Sequence, residues 1–256
     1  MDHWISRVVI VASVAGALGT LFLRLDGWLT VVLDFSLRGY LMFAGAVMAH
    51  EGVHGHLGRT KAANFWWARV ALVPALVPYT NFRKTHRMHH AHTNDPALDP
   101  DLFARPRRPW EVPFRALGMP HHWYFWLRAR GQLRRVDLID LVANYAGLLA
   151  VHGTLLVLVG PFRYATGVLP ALVIVSVLLW YPFAIKTHEG WSRGAPETRS
   201  HNYHGPFLYW FSLGLSVHRA HHLDQKLSWR SLRAHVSAAP GRRGLLPSPM
   251  RDIRAG

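Results

Sequence analysis

The chain has 256 residues, half of them hydrophobic, yet it carries a formal net charge of +15 and no cysteine. The missing cysteine excludes disulfides, thiolate zinc sites and iron–sulfur clusters, so any metal must be held by the 18 histidines or by Asp and Glu. Long apolar runs beside basic segments point to a membrane protein whose polar parts face an anionic leaflet, and they put nucleic-acid binding last among the function classes.

Taken in order, Ile5–Leu23 is apolar apart from Arg7 and small polar residues. At about 1.5 Å per residue it can cross roughly 30 Å of hydrocarbon. It lacks the basic start and small-residue cleavage site of a signal peptide, so it reads as a retained helix. Asp26-Gly27 makes a turn. Leu29–Ala49 is a second span with Asp34 and Arg38 four residues apart. They either pair on one helical face or mark a helix that starts later, with Asp34 at the interface. Phe65–Tyr79, with Pro74 and Pro78, is too short to cross and reads as re-entrant or interfacial. Thr80–Asp137 is polar and basic. Within it His121–Leu127 (HHWYFWL) reads as an aromatic interfacial belt, and Trp66, Trp67, Trp123 and Trp126 read as interface anchors.

Leu138–Val159 is a third span, interrupted by Asp140, Asn144 and a packed His152. Gly160–Gly167 reads as a loop, and Val168–Lys186 as a fourth span broken near its end by Pro182. His188–Gly256 is a second basic region. Residues 241–256, rich in Arg, Pro and Gly, read as a disordered tail behind one membrane-embedded domain at 1–240. The two long basic segments hold eleven and ten of the 29 Lys and Arg. The positive-inside rule puts both, and both termini, in the cytoplasm, with four crossings. The expected fold is all-α and integral to a membrane, with about four transmembrane helices and a cytoplasmic cap. A bacterial inner membrane is the expected location.

The cap would carry three histidine clusters: His50-Glu51-Gly52-Val53-His54, Thr85–Asp101 (THRMHHAHTNDPALDPD), and His218-Arg219-Ala220-His221-His222. Residues three and four apart share a helical face, so His50 and His54 can chelate one ion. His86 can join either His89 or His90, which point about 100° apart. That spread suits two adjacent ions, and His218, His221 and His222 repeat it. Eight imidazoles exceed the four ligands of a structural zinc. Imidazoles suit Fe, Zn, Cu or Ni, and spacing alone does not select iron. A lone HxxxH is weak, and one HxxHH could be a capped loop or a basic patch facing phosphate. All three clusters on one side of the membrane argue for a shared metal site.

In their order, HEGVHGHL, HRMHHAHTNDPALDPD and HRAHHL with Ser228-Trp229 after it resemble the membrane fatty-acid desaturase superfamily, which includes related hydroxylases and carotenoid ketolases. The resemblance covers roughly His50 to Trp229. It implies a non-haem di-iron enzyme that uses dioxygen and two electrons from a separate donor of ferredoxin or cytochrome b5 type. It implies iron ligation by His50, His54, His86, His89, His90, His218, His221 and His222. The family's further ligand maps to His188 in Thr187-His188-Glu189-Gly190. His201 and His204 are an additional pair, either supplying a ligand in place of His188 or standing behind the ligands, the latter being favoured. Many relatives have Glu where this chain has Ala220. His92, Asp99 and Asp101 are read as groups behind the ligands, the aspartates fixing ring tautomers; the alternative is that they cap helices and balance a basic loop.

The expected activity is desaturation of a fatty acyl chain held among the spans. A lipid hydroxylase or carotenoid ketolase is the second enzymatic reading. A His-rich metal-transport membrane protein is the non-enzymatic one, weakened because the clusters lie at helix ends and not near the bilayer midplane.

Overall fold

The computed structural model describes residues 3–23 and 26–238. In it the apolar runs become four helices long and apolar enough to cross a membrane: His3–Phe22, Trp28–Val53, Arg135–Val159 and Pro161–His188. In chain order the elements are α1 (His3–Gly19), α2 (Trp28–Val53), α3 (Lys61–Ala71), α4 (Tyr79–His92), α5 (Val112–Ala129), α6 (Arg135–Val159), α7 (Pro161–Val173), α8 (Pro206–Phe211), α9 (His218–Leu223) and α10 (Leu232–Ala238), with short tight turns between. No strand occurs among the described residues, as an all-α fold requires. The tail expected at 241–256 lies outside the described residues. On α6, Val142, Leu149 and Val157 are 70, 75 and 81% exposed. A face of that kind is unfavourable in water and natural against lipid tails.

The loop expected at Gly160–Gly167 is absent. Gly160 alone breaks the chain at φ 81°, and Pro161 takes the first helical position of α7, where its missing N–H is no loss. From Ile174 to Ile185 the helix widens into π-helical turns that contain Pro182. Wider winding absorbs the hydrogen bond that proline cannot make. A final tight turn, Lys186–His188, delivers His188 to the end of the span.

Buried polar residues hold the spans in register. Arg38 Nη2 donates to Asp34 Oδ1 and Oδ2 at 2.7 and 2.8 Å, and its other nitrogens reach Ala17 O and Gly167 O. Arg163 Nη2 donates to Asp34 Oδ2 at 3.1 Å and to Thr20 O at 3.1 Å. Asp34 is therefore paired and buried inside α2, not stranded at its start. The charges tie α1, α2 and α7 together with their hydrogen bonds satisfied, which is the condition for burying them.

The polar interruptions of α6 form one stripe. Asp137 accepts from Lys84 Nζ, Asp140 from Arg69 Nη1 and the Thr80 hydroxyl, and Asn144 Oδ1 from Tyr79 N. His152 accepts from the Tyr164 hydroxyl at Nδ1 and donates from Nε2 to Val73 O at 2.9 Å. His152 stands seventeen residues along α6, about 26 Å from its start. The turn between α3 and α4 thus enters the layer of spans and returns, and His152 satisfies a carbonyl that lipid could not. Of the re-entrant and interfacial readings of Phe65–Tyr79, the contact of Val73 O with His152, deep along α6, fits the first. α3 also lies close against α2: a Cβ on Gly45 would stand 2.5 Å from Ala71 O, so only glycine fits there.

The aromatic-belt reading needs correction. Trp123 and Trp126 are 5% and 7% exposed. Trp123 Nε1 donates to Asp101 Oδ1 at 2.9 Å, and Trp126 lies under Arg130. Helical periodicity turns both inward with Met119, while Phe125 is exposed. Trp66, 58% exposed, keeps its place at the surface.

Candidate metal centre

Four elements present histidines to one region. α2 brings His50 in its last turn, with His54 at its C-cap. α4 brings His86, His89 and His90, the tight turn Lys186–His188 that ends the fourth span brings His188, and α9 brings His218, His221 and His222. The start of α9 is held by Asn202 Oδ1, which accepts from Arg219 N at 2.9 Å and Ala220 N at 3.3 Å. The end of α4 is held by Thr93 Oγ1 on His89 O.

The nine rings fall into two groups. One is His50, His54, His86, His90 and His221; the other is His89, His188, His218 and His222. In each, the candidate ligand nitrogens lie within 4.8 Å of one another. The partition follows helix geometry. His86 and His90, four apart, stay together, while His89 faces the second group. His218 and His222 stay together, while His221 faces the first. The groups adjoin, with the His90 ring stacked on His222 at 4.2 Å.

The Nε2 atoms converge. His86 Nε2 stands 3.0 Å from both His54 Nε2 and His90 Nε2, and His221 Nε2 is 3.1 Å from His90 Nε2. His188 Nε2 stands 3.2 Å from His89 Nε2 and 3.1 Å from His218 Nε2, which is also 3.1 Å from His222 Nε2. One neutral ring nitrogen cannot serve two such neighbours by hydrogen bonding, since it is either donor or acceptor. A shared cation would satisfy them together. Ligands about 2.1 Å from an ion and at right angles lie about 3.0 Å apart, against about 3.4 Å for a tetrahedral site. The spacing fits ions with more than four positions. His50 Nε2 is buried without any hydrogen-bond partner, as a nitrogen kept for a metal would be.

Burial, reinforced by neighbouring rings, pushes His54, His86, His90, His218, His221 and His222 well below the usual histidine range. They stay neutral near pH 7, the state a metal needs. His89 is the exception. Burial pulls it down, but the Asp99 carboxylate outweighs this and raises it to about 9. Asp99 itself is held below its usual range: burial opposes this, and His89 overrides burial. Burial pushes Asp101 up to about 6.

Among the residues expected behind the ligands, Asp99 accepts from His89 Nδ1 at 3.0 Å, from Asn94 N and from Asp101 N. That bond leaves His89 Nε2 free to face the group. Asp101 lies 3.9 Å from His89 Nδ1 and holds Trp123. His188 Nδ1 donates to Arg199 O at 2.8 Å. His201 joins neither group; its Nε2 donates to Glu189 O and its N to Thr187 O, bracing the chain on both sides of His188. His204 and His92 also join neither group. Asp95 caps Ala97 N and Leu98 N.

Glu51 adjoins His50 in sequence, where it reads either as a group behind the ligands or as a cap that balances charge. The buried Glu51 carboxylate accepts from His56 Nδ1 and Trp229 N, both at 2.9 Å, and lies 3.7 Å from His50 Nδ1. It fastens the first cluster to the chain beyond the third. Its adjacency to His50 is visible in sequence, while its partner 178 residues away is not.

An apolar cavity of about 310 Å³ lies beside the first group, lined by Ala46, Leu72, Phe82, Trp123, Val175 and Trp180 among others. The Phe82 ring is common to both: it lines the cavity and stacks on His86 with centroids 5.5 Å apart. Tyr145 and His121 line the cavity from exposed positions.

A family model described as fatty acid desaturase matches residues 26–245. An sn-1 acyl-lipid omega-3 desaturase (ferredoxin) of Synechocystis sp. is 34% identical over 28% of this chain and 20% of its own length. A chloroplastic sn-2 acyl-lipid omega-3 desaturase (ferredoxin) of Helianthus annuus is 29% identical over 51% of this chain and 32% of its own. An sn-1 oleoyl-lipid 12-desaturase of Arthrospira platensis is 23% identical over 90% of this chain and 73% of its own. The chain thus spans a fifth to a third of the length of the first two relatives and most of the third.

Proposed function

We propose, for a chain that belongs to the fatty acid desaturase family, the oxygen-dependent insertion of a double bond into an acyl chain of a lipid at a two-iron centre. The observation that carries this reading is the pair of adjoining histidine groups set against an apolar cavity across Phe82. Desaturation breaks two C–H bonds on neighbouring carbons. Those two hydrogens, two protons and two electrons from a donor reduce one dioxygen to two waters. When bound, the irons would supply dioxygen activation and hydrogen-atom abstraction.

The chain supplies the rest. Nine imidazoles hold the ions, and Asp99 and the Arg199 carbonyl keep His89 and His188 in the tautomer that offers Nε2. The cavity walls hold the acyl chain by apolar contact, and Phe82, Trp123 and Trp180 fix where it passes the first group. Their bulk keeps water from that wall. The relatives' names support an acyl-lipid substrate and a donor of ferredoxin type, with a cytochrome b5 type as the other candidate. The basic segments around the histidines support a cytoplasmic orientation by the positive-inside rule, and the membrane we propose is a bacterial inner one.

The test is metal content and product analysis on detergent-purified protein given reduced ferredoxin, oxygen, and either an acyl lipid or carotene. Two irons per chain and an unsaturated acyl product are expected, and Ala46→Phe, which fills the cavity, should abolish that product while iron remains. A hydroxylated lipid or a carotenoid ketone would move the assignment to the corresponding branch of the superfamily. One zinc per chain would refute it.

A further inference from the structure

Resting on the reading above, we propose that a soluble one-electron carrier with an acidic face docks over His54, in the hollow between the end of α2, the outer half of α4 and the loop after α9. The hollow encloses about 670 Å³ and is lined by Val53, His54, Arg87, Leu223, Asp224 and Lys226, with Gln225. Six of the nine metal-facing rings are buried. Of His54, His90 and His222, which are half-buried, His54 is the one that lines the hollow.

Position along the helices separates this entrance from the acyl cavity. On α2 the order is Ala46, His50, His54; on α4 it is Phe82, His86, Arg87. Ala46 and Phe82 line the cavity, one helical turn before the ligands His50 and His86. His54 and Arg87 line the hollow on the outward side of the same ligands. Substrate and donor therefore reach the centre from opposite sides, and the two linings share no residue. Electron transfer weakens steeply with distance, so a carrier seated on a ligand edge has the shortest route to the ions.

Charge selects the partner. Arg87 and Lys226 are exposed, and neither makes an ion pair among the described residues. Asp224, the one acid in the lining, accepts from Lys226 N and is committed to the loop. The rim is thus positive, on a chain of net charge +15. A complementary acidic face would be steered to it and oriented by it.

The test uses the full chain, iron-loaded in detergent, and measures binding of an oxidised [2Fe–2S] ferredoxin between about 0.05 and 0.3 M salt. The charge-reversed R87E/K226E should raise Kd at least about tenfold at low salt and flatten its salt dependence, with R87Q/K226Q between it and the parent. A matched reversal on the loop before α5, R107E/R108E, should change Kd less than about threefold. Iron content should be equal in all. Equal weakening by both reversals would overturn the proposal in favour of diffuse attraction to a basic chain. Unchanged binding in R87E/K226E would place the donor elsewhere, and a raised KM for the acyl lipid with ferredoxin binding unchanged would give the hollow to the substrate's polar head. Binding of the oxidised carrier needs no turnover, so a failure of the desaturase reading is a separate result, seen as absence of unsaturated product from the parent protein.

Discussion

Asp99→Asn tests whether the buried carboxylate behind His89 sets metal affinity. Asp99 Oδ1 accepts from His89 Nδ1 at 3.0 Å and from Asp101 N at 2.9 Å, and Oδ2 accepts from Asn94 N at 2.7 Å. Asparagine replaces one oxygen by an N–H donor, which must then face at least one N–H. Loss of such an outer partner lowers metal affinity by about 10–100-fold, or roughly 1.4–2.7 kcal/mol. The pH dependence of the metal-free protein gives a second reading. His89, raised to about 9, adds stability that is complete below its unfolded value of about 6.5 and is lost as pH rises towards 9. Asp99→Asn removes that contribution, so the gap in melting temperature between parent and variant should be widest near pH 6 and narrow by pH 9. Breaking a buried pair of this kind costs about 3 kcal/mol. Chelator competition and thermal melting across pH are the assays. An unchanged chelator midpoint, or a gap that widens with pH, would refute the reasoning.

Other expectations concern the two groups and the spans. Because the groups share no ligand, His188→Ala should leave about one iron per chain, not none, by metal analysis of purified protein. Arg38→Met should lower the melting temperature in detergent, costing about 3 kcal/mol or more, because Asp34 loses its nearest partner. The double change Asp34→Leu with Arg38→Met should be milder, since no lone charge is left buried. His152→Leu strands Val73 O and the Tyr164 hydroxyl and should cost about 1–3 kcal/mol, with faster proteolysis at the turn between α3 and α4.

Much of this protein is written locally in its sequence. Apolar length and helical period are properties of short stretches, so the four spans and the pairing of His50 with His54 are legible from spacing alone, whereas His86 could join His89 or His90, and His218 could join His221 or His222, until the fold grouped each with the residue four along. That nine histidines, His188 among them, gather in two adjoining groups is a property of the fold, and the family likeness is what named them as candidates. Tertiary structure decided where the buried polar groups found partners. Asp140, Asn144 and His152 read as interruptions of a span until their partners, 60 to 79 residues away, show them anchoring the re-entrant turn. Glu51 reaches Trp229 N, and Asn202 sets the start of α9, through contacts no window of sequence contains. Trp123 and Trp126 look interfacial by composition and are buried because α5 turns them inward. The cavity is likewise a property of no single stretch, since α2, α4, α5, α6 and α7 each contribute to its wall. Hydropathy and helical period fix which residues can share a face; only packing decides what that face meets.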